Sequence, residues 1–298
     1  MRALAVINPA AGGGRAGKVW PAVRPRFIAA GWQITDATGA GPQAVQHAEA
    51  GAREGYDVIL AVGGDGTAHW AANGILRAGA IGASAPPALG VVPAGTGVDF
   101  AAVLGFPKNT AAAVDALLRG SRRRIDVGRM NDLHFLTIGM VGFGAEVARQ
   151  VNDWPRPLPG PVMYIAGVLK MLVAYNPTEM AVTLDGVPRR QRLFMVAVGN
   201  SHRAAGGMKL CPGAAPDDGR FEVVLIGDVT KGEVLRLLPK TFSGGHVGHP
   251  KVQVATASAV TIASAAPLAV QGDGELAGTV PVSFTVIPQA LEVLAPAS

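Results

Sequence analysis

Three short apolar runs are each followed at once by a glycine-rich loop and then by a stretch of helical character. This order constrains the fold more than any other feature of the chain. LAVI (4–7) leads into NPAAGGGRAGKV (8–19), VILAV (58–62) into GGDGT (63–67), and LGVV (89–92) into PAGTG (93–97). With a further strand at 32–35 and helices at 17–30, 42–54, 67–78 and 110–119, the first 125 residues alternate β and α. Such a rhythm predicts a parallel sheet with helices on both faces. The three loops then open on the carboxyl edge of the strands, where open α/β sheets bind ligands.

After Arg122–Arg124 the pattern changes to short alternating runs: HFLTI, QRLFMVAV, FEVVLI, VQVA, AVTIA and VSFTVI. These predict an antiparallel sandwich, interrupted by helices at about 160–174 and, behind a Thr230 cap, near 230–242. The expected architecture is an N-terminal parallel-sheet α/β domain with nucleotide-type glycine loops over 1–126, plus a C-terminal antiparallel β-sandwich over 127–287. The last strand, about 288–298, is expected to return to the first domain.

Composition narrows the function classes. With 49% hydrophobic and 16% charged residues among 298, the chain is neither disordered nor a coiled coil. One cysteine, Cys211, excludes an intrachain disulfide and favours a reducing, cytoplasmic setting. The net charge of +5 suits an anionic partner. The basic runs Arg122–Arg124 and Arg189/Arg190/Arg192 lack interleaved aromatics, so nucleic acid is not expected. Windows 78–98 and 252–272 fail as membrane spans, the first broken by prolines and glycines and the second alternating as strands do. Residues 159–175 are expected as an apolar helix packed on the sandwich. Neither G-x-S-x-G nor H-E-x-x-H occurs.

The loops themselves leave alternatives open. Gly12, Gly17 and Lys18 have P-loop spacing, but Val19 stands where a magnesium-binding hydroxyl belongs. Gly12, Gly14 and Gly17, with Asp36 at 19 residues beyond, fit a dinucleotide fingerprint only loosely. The second loop, Gly63, Gly64, Asp65, Gly66 and Thr67, is sharper. Its glycines let the backbone approach an anion, Thr67 can cap the helix or touch a phosphate, and Asp65 can hold a loop amide or a metal-bound water. An ordinary strand-to-helix turn would use the same residues. The third loop, on the same edge, favours a polyphosphate ligand.

Asn8-Pro9 with its glycine loop, GGDGT (63–67) and PAGTGVDFA (93–101) resemble the diacylglycerol kinase catalytic family, which includes bacterial lipid kinases and sphingosine kinases. The likeness continues through IDVGRMN (125–131), GFGAEV (142–147), GNSHRAAGGMKLCPGAAPDDGRFEV (199–223) and DGE (273–275), nearly the whole chain. The resemblance implies nucleotide bound between two domains and lipid held largely by the second. It implies a cytoplasmic enzyme that meets its lipid substrate transiently at a membrane surface, with a homodimer left open. Asn8, Gly64, Thr67, Gly95 and Thr96 would then contact ATP, with Arg15 and Thr38 as additions. Asp273 and Glu275 would be catalytic, one accepting the hydroxyl proton and the other binding Mg2+ or tuning its partner. A D-G hairpin turn between strands 268–272 and 280–287 is the alternative reading of those residues. Asp218 and the carbonyl of Arg220 match a structural metal site of relatives, against an Asp-Asp-Gly turn without metal.

Departures from the family pattern bear on activity. Relatives commonly read GGDGT-x-N-E, whereas His69 and Trp70 stand in the last two places. Val98 replaces an amide side chain and Gly144 an acid. The implied function is an ATP- and magnesium-dependent lipid kinase. An NAD-kinase-like enzyme and a binding protein that has lost turnover are the alternatives. His202, His246 and His249 are expected as surface loop residues.

Overall fold

The computed structural model describes residues 1–80, 86–152 and 160–297. The chain forms two compact units, Met1–Ile125 with Gln289–Ser298, and Asp126–Pro288.

The first unit contains β1 (Arg2–Ile7), α1 (Ala11–Ala29), β2 (Gln33–Thr38), α2 (Pro42–Arg53), β3 (Val58–Gly63), α3 (Asp65–Ala80), β4 (Ala88–Pro93), α4 (Asp99–Val103) and α5 (Thr110–Leu118). Its strands pair in parallel in the order β2-β1-β3-β4. Every residue of β3 and β4 is buried. That explains their unbroken apolar runs, since helices cover both faces of a parallel sheet. At the start of α1, Gly12, Gly13 and Gly14 adopt φ of 63°, 67° and 88°, so the right-handed helix begins only after them. Residues with a Cβ rarely adopt this left-handed backbone, and the GGG run supplies it without strain.

β5 (Ser121–Met130) leads into the second unit, which adds β6 (Leu133–Phe135), β7 (Ile138–Gly142), α6 (Phe143–Asn152), α7 (Gly160–Ala174), β8 (Thr178–Leu184), β9 (Val187–Leu193), β10 (Met195–Gly199) and β11 (Phe221–Ile226). It continues with α8 (Lys231–Leu237), 3-10 turns at Pro239–Phe242 and Gly245–Gly248, β12 (Val252–Ala257), β13 (Ala259–Ala263), β14 (Ala269–Gly272), β15 (Glu275–Thr279) and β16 (Val282–Ala295). One layer is the antiparallel sheet β12-β11-β10-β7-β14-β15, and the other runs β16-β13-β8-β9. Past Gln289, β16 re-enters the first unit, where Val293 pairs with Leu89 of β4.

Phe135, Phe221 and Phe284 fill the centre of the sandwich. Phe135 stacks on Phe221 at 5.7 Å between centroids and meets Phe284 edge-on at 5.9 Å. A Cβ at Gly128 would lie 2.2 Å from the Phe135 ring, so the small residue makes room for the large one. The six-stranded sheet is buried on its other face as well, where Phe143, Val147, Val168, Leu172, Val234 and Leu237 of α6, α7 and α8 pack on it. The Thr230 cap is present as a full capping box with Glu233.

Two sequence runs expected as single strands divide. HFLTI breaks at Leu136-Thr137 into β6 and β7, and QRLFMVAV breaks at Phe194 into β9 and β10. In both cases the chain passes from one layer to the other, which no straight strand can do. The Asp273-Gly274 turn is a hairpin, but its second strand is β15 rather than 280–287. Both turn residues have positive φ, 55° and 88°, as a two-residue type I′ turn requires, so the return strand starts at Glu275. Residues 282–287 belong instead to β16 in the opposite layer.

Among the described residues no helix is long and apolar enough to cross a membrane. The window 252–272 forms β12, β13 and β14, as its alternation predicted. Residue 159 and residues 81–85 lie outside the described part of the other two windows.

Truncating Phe135 to Ala removes a fully buried ring from the middle of the sandwich. Such a change costs about 3–5 kcal/mol, and chemical denaturation monitored on the second unit should show a loss of that order.

Candidate functional site

In the first unit the three glycine loops meet at the carboxyl edge of the parallel strands. Asn8 follows β1, donates its amide to Val62 O, and accepts the Ala10 amide on its side-chain oxygen at 3.2 Å. The amides of Ala94 and Gly95 both donate to Gly63 O, at 2.8 and 2.9 Å. The contact between the second and third loops leaves no room for side chains. A Cβ on Gly95 would sit 2.3 Å from Gly64 Cα, and one on Gly64 would sit 2.7 Å from Gly97 O. The first loop touches the third in the same way, since a Cβ on Gly12 would lie 2.5 Å from Ala94 O.

Asp65 locks this arrangement. Its amide donates to Gly97 O at 3.1 Å, while its carboxylate accepts the amides of Asp99 at 3.0 Å and Phe100 at 2.9 Å. It thereby caps α4 from a distance, where the Val98 side chain makes no cap. Of the two sequence readings of Asp65, the loop-amide holder describes these contacts. Gly66 and Thr67 form the first turn of α3, whose amide dipoles favour an anion. The Thr67 hydroxyl is buried without a hydrogen-bond partner beside Gly63, a donor with its bonding capacity unspent.

Arg15 is exposed and donates to the Thr110 hydroxyl at 3.1 Å, which in turn donates to Pro93 O at 2.7 Å. The guanidinium is thus pinned beside the third loop through Thr110, a residue that sequence reasoning missed because it lies at the start of an ordinary-looking helix. Thr96 is exposed. Thr38, also exposed, ends β2 opposite Ile7 on the same sheet edge. Asp36 accepts the Trp20 indole and pairs with Arg24 at 3.0 Å, so its carboxylate is engaged by side chains of α1. His69 is buried, and Trp70 meets it edge-on at 4.7 Å.

In the second unit Asp273 is the centre of a polar knot. Its carboxylate accepts the amides of Leu136 at 2.8 Å and Thr137 at 2.7 Å, and the Thr137 hydroxyl at 2.5 Å. These donors are the two residues at which β6 breaks from β7. The knot continues in the buried Asn200, whose amide nitrogen bonds Leu136 O and Asp126 O, both at 3.0 Å. Asp126, fully buried, accepts the Gly219 amide at 2.6 Å. The motifs IDVGRMN and GNSHR carried Asp126 and Asn200 in the sequence, but nothing local distinguished them from loop polar residues. Glu275, half-buried, opens β15 two residues after Asp273.

Asp218 is exposed and accepts the Arg220 amide at 3.0 Å. Among the described residues no group of three or more His, Cys, Asp or Glu could hold a metal ion.

A pocket of about 60 Å3 lies between the six-stranded sheet and α6, α7 and α8. Its wall is apolar apart from Thr241 and includes Phe143, Gly144, Val168, Met195 and Val234. A side chain at Gly144 would begin 2.7 Å from the Met140 sulfur and 3.2 Å from the Met195 methyl. The missing acid at 144 therefore corresponds to a wall closed by two methionines. Tyr175 stands beside this wall, its ring edge-on to Phe143 and Phe194, and burial with the nearby Glu146 charge pushes its phenol pKa upward.

His246 corrects the expectation of a surface residue. It is 1% exposed, and its Nε2 bonds the carbonyl of Leu210, a residue of the pocket wall. A peptide carbonyl deep in the fold offers that ring a fixed partner, so the glycine-rich segment folds inward over it. Burial lowers its pKa from the ordinary 6.5. His249 lies 3.8 Å from Glu233, and His202 is half-buried.

Two outcomes are expected. Asp65→Ala would leave the amides of Asp99 and Phe100 without their acceptor. The cost should be about 1–3 kcal/mol in denaturation. For His246, the unfolded chain takes up the proton more readily than the folded one, because Nδ1 is buried without a partner. Its contribution to stability is complete above pH 6.5 and declines as pH falls below that value. The thermal midpoint should drop more steeply below that pH in the native chain than in His246→Asn.

Comparison with known proteins agrees with these features. Residues 2–130 match the diacylglycerol kinase catalytic domain, and residues 138–295 match the YegS C-terminal NAD kinase beta sandwich-like domain. Diacylglycerol kinases of Staphylococcus aureus, strains bovine RF122 / ET3-1 and MRSA252, are each 30% identical over 298 residues, covering 99% of this chain and 92% of theirs. A crystal structure from Bacillus anthracis str. Sterne shares the fold with a TM-score of 0.83 at 22% identity, over 99% of this chain and 95% of that one. A second, of a diacylglycerol kinase from the same organism, does so at 0.74 and 19%, over 99% and 96%. The two matched domains and the full-length likeness make this chain a member of the diacylglycerol kinase family.

Proposed function

We propose that the protein transfers the γ-phosphate of ATP to the hydroxyl of a diacylglycerol-like or sphingoid lipid, with Mg2+. The observation that carries this reading is the junction of three glycine loops on one sheet edge around the unspent Thr67 hydroxyl. That cradle offers backbone amides, a helix N-terminus, a hydroxyl donor and the Arg15 charge, the donor set a polyphosphate requires. Bound ATP would supply the phosphoryl group, and Mg2+ would neutralise its developing charge. Glu275 would hold the metal or tune Asp273.

Asp273 accepts the hydroxyl proton in this reading. Three donors hold its carboxylate in one orientation, and the hairpin turn fixes its backbone, so the base needs no reorganisation on substrate arrival. Its half-exposed position leaves it accessible to a substrate oxygen. The apolar pocket of the second unit receives a hydrocarbon chain, which gains about 0.8 kcal/mol for each buried methylene. That wall favours a lipid acceptor over the nucleotide acceptor of an NAD-kinase-like enzyme. Trp70, Val98 and Gly144 would slow the reaction only if the family's polar groups at those places are needed. The Asp65 clamp already performs the capping that Val98 does not.

The test is transfer of labelled γ-phosphate to diacylglycerol, sphingosine, NAD or no acceptor, in the presence of Mg2+. Label is expected in a lipid, and Asp273→Asn should lower the rate by roughly 10²–10⁴-fold. Label in NAD alone would select the nucleotide kinase. Saturable ATP binding with label nowhere would select the binding protein.

A further inference from the structure

The peptide that joins Leu136 to Thr137 lies at the break between β6 and β7, outside both strands. Its orientation therefore rests on bonds from elsewhere. On one side its N–H, that of Thr137, donates to Asp273 Oδ1 at 2.7 Å. The Thr137 hydroxyl joins it on the same oxygen, and the Leu136 amide takes Oδ2. On the other side its C=O, that of Leu136, accepts a bond from the side-chain Nδ2 of Asn200 at 3.0 Å. A trans peptide group is planar, with its C=O and N–H pointing in opposite directions. Whatever fixes the carbonyl therefore fixes the aim of the amide at the carboxylate.

Asn200 is itself held fast. It is fully buried, its Nδ2 also donates to Asp126 O at 3.0 Å, and its backbone amide donates to Thr137 O at 2.8 Å. Turning the side-chain amide over would set Oδ1 against two carbonyl oxygens, so the acceptors settle its orientation. Oδ1 is buried without a hydrogen-bond partner. The side chain thus keeps its donors on the two carbonyls at the expense of its own oxygen, a pattern that calls for a role beyond stability.

We infer that Asn200 is a positioning residue for the proton acceptor: its side-chain amide, acting through the 136–137 peptide, aims the Thr137 N–H at Asp273 and so holds the carboxylate in its reactive orientation. This rests on the reading of Asp273 as the base and adds the residue that sets it. Without the Asn200 amide the buried Leu136 carbonyl loses its donor, and the peptide is free to turn toward another, carrying its N–H away from Asp273. The bond also acts electronically. A donor on the C=O polarises the peptide and strengthens the N–H as a donor in turn. A stronger donor favours the ionised carboxylate, which is the form that accepts a proton.

The experiment compares Asn200→Leu and Asn200→Ala with the native full chain, with circular dichroism to verify the fold. Leucine keeps the branched outline of asparagine without its donors, and alanine leaves a space. Both lose the amide, so equal effects separate its role from packing. In transfer of labelled γ-phosphate to diacylglycerol, each should lower kcat by roughly 10–10²-fold while the KM for the lipid stays within about twofold. Combined with Asp273→Asn, Asn200→Leu should lower the residual rate by less than about twofold, because residues that act as a unit are not additive. A loss of about tenfold or more in both backgrounds, or an unchanged kcat in a folded variant, would overturn the inference. So would loss of the fold in both variants, which would make Asn200 a purely structural residue. A native rate in Asp273→Asn alone would retire the base reading and the inference with it. A readout independent of turnover is NMR of protein carrying isotope-labelled aspartate carboxyl carbons, with the Asp273 signal identified by its absence in Asp273→Asn. In Asn200→Leu that signal should titrate at higher pH than in the native chain. An unmoved titration would overturn the inference even where no lipid is phosphorylated, and a moved one would sustain it while the kinase reading failed.

Discussion

The carboxylate of Asp65 holds two chain segments that sequence separates by more than thirty residues. It accepts the amides of Asp99 and Phe100 while its own amide bonds Gly97, so the loops after β3 and β4 become one surface. Without that clamp the start of α4 would lose its capping acceptor. The amides of Ala94 and Gly95 on Gly63 O hold the same two loops together, and the close approach of Gly95 to Gly64 rests on both sets of bonds. A carboxylate in this role stiffens the loop junction by spending its charge on backbone donors.

The second unit repeats the device with a different carboxylate. Asp273 gathers the amides of Leu136 and Thr137 where the chain leaves β6 for β7, so a hydrogen-bonding need created by a strand break is met by the residue whose chemistry is of interest. The six-stranded sheet that carries this knot is buried on both faces, by the Phe135 core on one and by three helices on the other. One face supplies stability. The other, packed against helices whose apolar residues partly face solvent, has space for a pocket. The phenylalanine core and the apolar pocket thus sit on opposite sides of one sheet.

Much of this was legible in the residues. The continuous apolar strands of the first unit, the Asp-Gly turn and the Thr230 cap are local signals, read from periodicity and turn chemistry. Other features were not. Thr110, Asp126, Thr137 and Asn200 look like ordinary loop or helix polar residues until packing buries them. HFLTI and QRLFMVAV look like single strands because alternation carries no record of where a chain changes layers. His246 looked exposed because its glycine-rich neighbours suggest a surface loop, and only the Leu210 carbonyl explains its burial.

The sequence by itself determined the two rhythms of the chain, the three glycine loops at strand ends and the family to which their motifs belong. Those properties are set by backbone preference and side-chain period within a few residues. Tertiary structure decided which groups the carboxylates hold, that Asp65 serves the loops rather than facing outward, and that Asp273 is bound to residues 136 and 137 positions away. Hydrogen-bond partners and surface neighbourhoods depend on how distant elements pack, and a one-dimensional pattern does not contain that information.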